Sequence, residues 1–253
     1  MLGLRIAAAL ALLSLAGPAC AQTPADTEQA GPIPPVVAPA AQPGGAPSDA
    51  VVLFDGKDAS QWVSTKDKGP IGWTVEDGAL VVKLSAGNIE TKRTFGSYQL
   101  HIEWKVPVGV TGSGQQRGNS GVFLAGVGPG DGGYELQILD SYENQTYVNG
   151  QAASIYKQAP PLANAMRPPG QWQVYDVVWT APTFNADGAM KTPAKVTTFH
   201  NGVLVQNDFE LAGPTRYIGK PVYAAHGPAP IKLQAHTGGG PVSFRNIWVR
   251  PLD

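Results

Sequence analysis

The densest run of side chains able to move protons is Tyr134-Glu135-Leu136-Gln137-Ile138-Leu139-Asp140. In a regular strand side chains alternate with period two, so Glu135 and Gln137 face one way and Asp140 the other. A single bulge before Asp140 would turn all three toward one groove. Two carboxylates about 5 Å apart in such a groove suit a retaining glycosidase. In the competing reading Asp140 caps the turn at Ser141 and Glu135 is simply solvated. Of the four histidines, His236 ends the polar stretch Gln234-Ala235-His236, just before Gly238-Gly239-Gly240. It is the leading imidazole for acid–base work, with a solvated loop histidine as the alternative. His226 is a second rim candidate; His200 abuts the Asn201-Gly202 turn, and His101 sits on the polar side of a strand. No His-x-x-x-His pair exists, which excludes a zincin site.

Gly112-Ser113-Gly114-Gln115-Gln116-Arg117-Gly118 lacks the Gly-Lys-Ser/Thr ending of a phosphate loop and the helix that follows one. It reads instead as a mobile loop beside Asn119, with Arg117 able to reach a sugar oxygen. Tyr134, Tyr142, Tyr147 and Tyr156 supply flat faces for sugars near the groove, whereas Trp73, Trp104 and Trp179 read as core. Asp55-Gly56 and Asp58 fit either a calcium site or, more economically, a turn next to Trp62.

The elements that must position these groups are strands. Tyr98, Leu100, Ile102, Trp104 and Val106 share one parity; Gln99, His101, Glu103 and Lys105 share the other, the pattern of a strand with one buried face. Similar runs recur at 72–83, 120–124, 134–140, 173–179, 194–199, 203–207, 232–235 and 242–250. Asp77-Gly78 and Asn201-Gly202 lie between such runs and suit tight hairpin turns. No 11-residue window has helical periodicity. The expectation is all-β: a two-sheet antiparallel jelly-roll sandwich.

Composition agrees. Gly (31) and Pro (23) make 54 of 253 residues, about a fifth, which disfavours long helices. Lys and Arg (18) nearly balance Asp and Glu (19), which argues against nucleic acid or an anionic membrane and for an uncharged ligand. The lone Cys20 excludes a disulfide scaffold, a thiolate zinc site and an iron–sulfur cluster. Residues 1–21 read as a signal peptide: Arg5, the apolar run Ile6 to Ala16, too short to span a bilayer, and small residues at Ala19-Cys20-Ala21. The protein is therefore expected to be exported, to the periplasm or beyond, with lipid anchoring through Cys20 as the alternative. Residues 22–50 hold seven Pro and seven Ala without Lys, Arg or aromatics, and read as a disordered tether. Residues 51–253 then form one domain.

The spacing Glu-x-Gln-x-x-Asp resembles the Glu-x-Asp-x-x-Glu strand of laminarinase-type glucanases, although Gln137 replaces a carboxylate. The chain as a whole resembles the 3-keto-disaccharide hydrolase domain family. The likeness rests on Leu53-Phe54-Asp55-Gly56-Lys57-Asp58 with Trp62, Asn119 to Leu124, Tyr134 to Tyr142, Gly150 to Tyr156, Pro160 to Ala165, Tyr175-Asp176, His200 to Gln206 and Phe244 to Trp248. It implies a concanavalin A-like lectin/glucanase sandwich, usually exported, acting on sugars whose 3-hydroxyl is oxidised to a ketone. Two positions depart from the family pattern: Ala235 stands where relatives often carry Asp, and Lys157 where Gly commonly follows Ile-Tyr.

A ketone at C3 acidifies the C2 proton, so a base can remove it and the enolate can expel the C1 oxygen. On this basis Glu135 and His236 are the expected base and acid, in either assignment. Arg117, Asn119, Gln137, Asp140, Tyr142, Tyr156, Lys157, Gln234 and His226 are the expected substrate contacts. A divalent cation such as calcium, if present, would use Glu135, Asp140 and His236. Water addition would make the reaction a hydrolysis and its omission a lyase reaction. The alternative function is a non-catalytic carbohydrate-binding module that has kept the sandwich.

Overall fold

The computed structural model describes residues 31–238 and 240–253. The expected signal peptide and the first part of the tether, residues 22–30, lie outside them. The chain divides into residues 1–36 and 37–253. Of the first unit, the described residues 31–36 are exposed and carry no strand or helix.

In the second unit the alternating segments become antiparallel strands, and no α-helix occurs among the described residues. One sheet runs, edge to edge, through β13 (Val203–Glu210), β12 (Lys195–His200), β9 (Gln173–Thr180), β6 (Tyr98–Lys105), β15 (Ser243–Pro251), β4 (Ala79–Val81) and β3 (Thr74–Glu76). β1 (Val51–Phe54) also pairs with β15, joining the two ends of the domain in one ladder. The other sheet has the order β2 (Trp62–Ser64), β5 (Ile89–Thr91), β14 (Lys232–Leu233), β7 (Ser120–Phe123), β8 (Glu135–Ile138). A ribbon of β10 (Thr183–Phe184) and β11 (Met190–Thr192) stands apart from both sheets. The result is the antiparallel sandwich that the alternation predicts. Both hairpins form where Gly follows Asp or Asn: φ is positive at Asp77 (48°) and Gly78 (75°), and at Asn201 (52°) and Gly202 (82°), as a tight primed turn requires.

Tyr98, Leu100, Ile102, Trp104 and Val106 are all fully buried, facing Val122, Leu136, Ile138 and Leu233 of the smaller sheet in one core. Each such side chain contributes about 1.5–3 kcal/mol of transfer free energy. Two phenols tie the sheets together: Tyr98 donates to the Leu124 carbonyl (2.6 Å) and Tyr175 to the Gln137 carbonyl (2.8 Å). Trp73, Trp104 and Trp179 are buried. So is Tyr134, which packs on Trp179 at 5.2 Å and is a core residue rather than a sugar platform.

The tether expectation fails over its last part. The Gly44 carbonyl accepts from Asn246 (2.8 Å) and from the Trp248 indole (3.0 Å), Asp49 pairs with Arg250 (2.8 Å), and the Ala38 and Ser48 backbones bond to each other. Residues 38–49 thus lie on the outer side of β15. They cover His101, which is only 2% exposed. Gly44, at φ 78°, makes this approach possible, since a Cβ there would come within 3.3 Å of the imidazole. Asp55 accepts from the backbone of Lys57 and Asp58 (both 2.9 Å), which forms the turn next to Trp62.

Candidate active site

β8 pairs with β7 in unbroken register, Gly121 opposite Gln137 and Phe123 opposite Glu135. Leu136 and Ile138 go into the core, which leaves Glu135 and Gln137 on the outer face of the smaller sheet. β14 continues on the far side of β7, where the Gln234 N–H donates to the Gly121 carbonyl (3.0 Å). Gln234 and His236 therefore reach the same face. Together with Asn119, Gln115, Asp131, Tyr147 and Tyr156 they enclose a cavity of about 620 Å³, within the usual range for a small-molecule site.

Glu135 is 6% exposed. Its carboxyl occupies the space above Gly121, where a Cβ would lie 2.6 Å from Oε1, so only glycine leaves room for it. Burial pushes its pKa up to about 8, and the nearby charge of Asp131 adds to the rise. Turned over, the Gln137 amide would donate to Glu135 Oε1 at 3.2 Å; in its present orientation it donates to Gln115 Oε1 (3.1 Å). The carboxyl can thus be received in either charge state. Burial lowers the pKa of His236, opposed by Asp131, so its imidazole is neutral at pH 7. Its Nδ1 and the Gln234 Oε1 are buried with no partner among the described residues. Asp131, whose charge acts on both Glu135 and His236, is fixed by Asn88 (2.8 Å), which also accepts from the Ala235 N–H (2.8 Å). The Lys232 ammonium holds the same loop through the Gly130 (2.8 Å) and Gly132 (3.0 Å) carbonyls.

At the rim, the Tyr147 and Tyr156 hydroxyls share one hydrogen bond at 2.6 Å, which leaves the second phenolic hydrogen free. Lys157 stands over the Tyr147 ring at 4.1 Å and near Tyr217 at 5.3 Å, a cation on aromatic faces beside the cavity. Its φ of 65° accounts for the glycine that the family pattern favours there.

The cavity brings together Glu135, His236, Asn119, Gln137, Tyr156 and Gln234 among the expected residues. Its lining does not include Arg117, Asp140, Tyr142, Lys157 or His226. No bulge turns Asp140 toward Glu135; β8 ends at Ile138 and the Asp140 N–H bonds to the Arg117 carbonyl. The fully buried Asp140 carboxyl pairs with Arg117 (2.7 Å) and accepts from the Tyr142 N–H (3.1 Å). Both charges are thereby used, and Tyr142 is part of the turn they brace. His226 meets the Tyr134 hydroxyl (3.0 Å) in an adjoining cavity. Arg117→Met, which strands that carboxylate, is expected to destabilise the fold by about 3 kcal/mol, read as the shift in urea-unfolding midpoint.

Ala235 packs against the core and does not line the cavity. Among the described residues, no three His, Cys, Asp or Glu side chains stand close enough to hold a metal ion. With Asp140 committed to Arg117, the expected cation ligands do not fit such an ion. Asp131, Thr215, Tyr217, Gln115 and Gln116 also line the cavity and were not expected there. Only the glycine-dense stretch around Asp131 hints at a shaped loop.

Residues 49–250 match the model of the 3-keto-alpha-glucoside-1,2-lyase-like domain. A curated 3-keto-disaccharide hydrolase of Bacteroides thetaiotaomicron is 28% identical over 151 residues, 48% of this chain and 49% of the relative. The chain thus spans about half the length of that relative. A crystal structure from Parabacteroides distasonis, of a protein provisionally assigned as a glycosyl hydrolase, is 51% identical with a TM-score of 0.84, covering 91% of this chain and 97% of its own. A second structure from the same organism, also provisionally a glycosyl hydrolase, shares the fold at 22% identity and a TM-score of 0.58, over 83% and 95% of the chains.

Proposed function

Because this chain belongs to the 3-keto-alpha-glucoside-1,2-lyase-like domain family, we propose that it is an exported enzyme that cleaves 3-keto-glycosides by eliminating the C1 substituent. The observation that carries this reading is a buried carboxyl and an imidazole in one cavity, with pKa values displaced in opposite directions. Glu135, near 8, keeps its proton at pH 7, while His236 stays neutral and able to accept one.

These states assign the roles. His236 takes the C2 proton, the C2–H electrons form the enolate of the C3 ketone, and the free Tyr147/Tyr156 hydroxyl hydrogen stabilises its oxygen. The enolate then re-forms the ketone as a C1–C2 double bond appears and the C1–O bond breaks. Glu135 gives its proton to the departing oxygen, which leaves as an alcohol. Addition of water across the new double bond by the same two groups in reverse completes a hydrolysis; without it the product is the unsaturated 3-keto sugar.

Incubation with methyl 3-keto-glucoside should release methanol at the same rate with and without chelator. Release that requires an added divalent ion would overturn these metal-free roles. Binding without release would favour the lectin-like alternative.

A further inference from the structure

A second cavity of about 720 Å³ adjoins the first, and the two share Asp131, Thr215 and Tyr217 in their walls. Their chemistry differs. Around Glu135 the wall is made of amides, phenols, carboxyls and an imidazole. Beyond Tyr217 it is made largely of Val127, Pro129, Pro214, Ile218, Val222 and Ala225. Of the polar members of that wall, Arg216 and Tyr217 stand without a hydrogen-bond partner among the described residues, and the others are engaged. Asp131 is held by Asn88, His226 lies between the Tyr134 hydroxyl (3.0 Å) and the Gly227 carbonyl (2.9 Å), and Thr215 Oγ1 accepts from the Glu135 N–H (3.0 Å).

Tyr217, Ile218 and Val222 are 71%, 83% and 65% exposed. Single wet apolar residues are ordinary, but a contiguous set of them opening into a polar catalytic cavity marks a surface that a ligand covers. A sugar bound beside Glu135 and His236 must place its C1 substituent somewhere, and the neighbouring space is this apolar one. A second hexose there would set most of its hydroxyls against Val, Ile and Pro, with Arg216 and Tyr217 alone to replace the hydrogen bonds given up to water. A flat hydrocarbon group would give up none and would bury the exposed side chains.

We propose that the second cavity is the leaving-group subsite and that it selects glycosides bearing an apolar, flat aglycone over those whose leaving group is another sugar. This rests on the reading that the first cavity cleaves 3-keto-glycosides.

The test uses the full chain with methyl, benzyl and glucosyl 3-keto-glucosides; benzyl alcohol is no more acidic than a sugar hydroxyl, so a faster benzyl reaction cannot come from leaving-group chemistry. Ile218→Ser and Val222→Ser, both at exposed positions, are compared with the unaltered protein. The expected result is kcat/KM at least tenfold higher for the benzyl than for the glucosyl compound. Each variant should lower the benzyl value about five- to tenfold and leave the methyl value unchanged. Equal or better cleavage of the glucosyl compound, or benzyl values that neither variant moves, would overturn the proposal. A parallel titration with unoxidised benzyl glucoside and with a glucosyl-glucoside reads binding alone. If no 3-keto compound is cleaved but the benzyl ligand binds more tightly and loses affinity in Ile218→Ser, the subsite stands and the reaction reading falls. If that preference is also absent, both fall.

Discussion

Glu135→Gln is expected to lower kcat/KM on a 3-keto-glycoside by about 10²–10⁴-fold, the usual contribution of a positioned general acid. The amide matches the carboxyl in shape and fits over Gly121, but it cannot give a proton to the departing C1 oxygen. Stability should move the other way. A carboxyl whose folded pKa is raised to about 8 contributes fully below its unfolded value, near 4.5, and its contribution is lost as pH rises through 8, because the folded state must then bury a charge. Glutamine carries no such cost. The variant should therefore melt higher than the unaltered protein at pH 8–9 while being nearly inactive. A variant that is inactive and also melts lower at that pH would point to structural damage instead of a missing proton.

His236→Asn is expected to cost a similar factor by removing the base that takes the C2 proton. The pH dependence separates the two losses. In the unaltered protein kcat/KM should fall toward acid below the ordinary histidine pKa, as His236 protonates, and toward alkali near 8, as Glu135 deprotonates. His236→Asn should lose the acid limb and regain activity with added imidazole, whereas Glu135→Gln should lose the alkaline limb. Asp131 raises the pKa of both groups, so Asp131→Asn should shift both limbs to lower pH.

Much of this architecture can be read from the chain before folding. Alternation from Tyr98 to Val106 identifies a buried face, and Asp77-Gly78 and Asn201-Gly202 identify hairpins, because both signals are local. Glu135 and Gln137 sharing a face follows from period two alone. The rest depends on where distant segments go. Nothing near Asp140 announces that Arg117 will claim it, nor does anything near His101 announce that residues 38–49 return to cover it. Tyr217 and Thr215 reach the cavity from a loop some 80 residues beyond Glu135, with no pattern of their own. Short-range periodicity reports which way a side chain points; only the tertiary path decides which side chains meet.

The fate of the C2 hydrogen tests the central claim most directly. A 3-keto-glycoside carrying hydrogen at C2 is turned over in D2O, and the released sugar is followed by NMR from the first turnovers. Elimination through His236 predicts that the C2 hydrogen leaves in step with aglycone release, to be replaced by deuterium if water adds or by the double bond if it does not. Aglycone release with the original hydrogen fully retained at C2 would contradict it and point to direct displacement at C1.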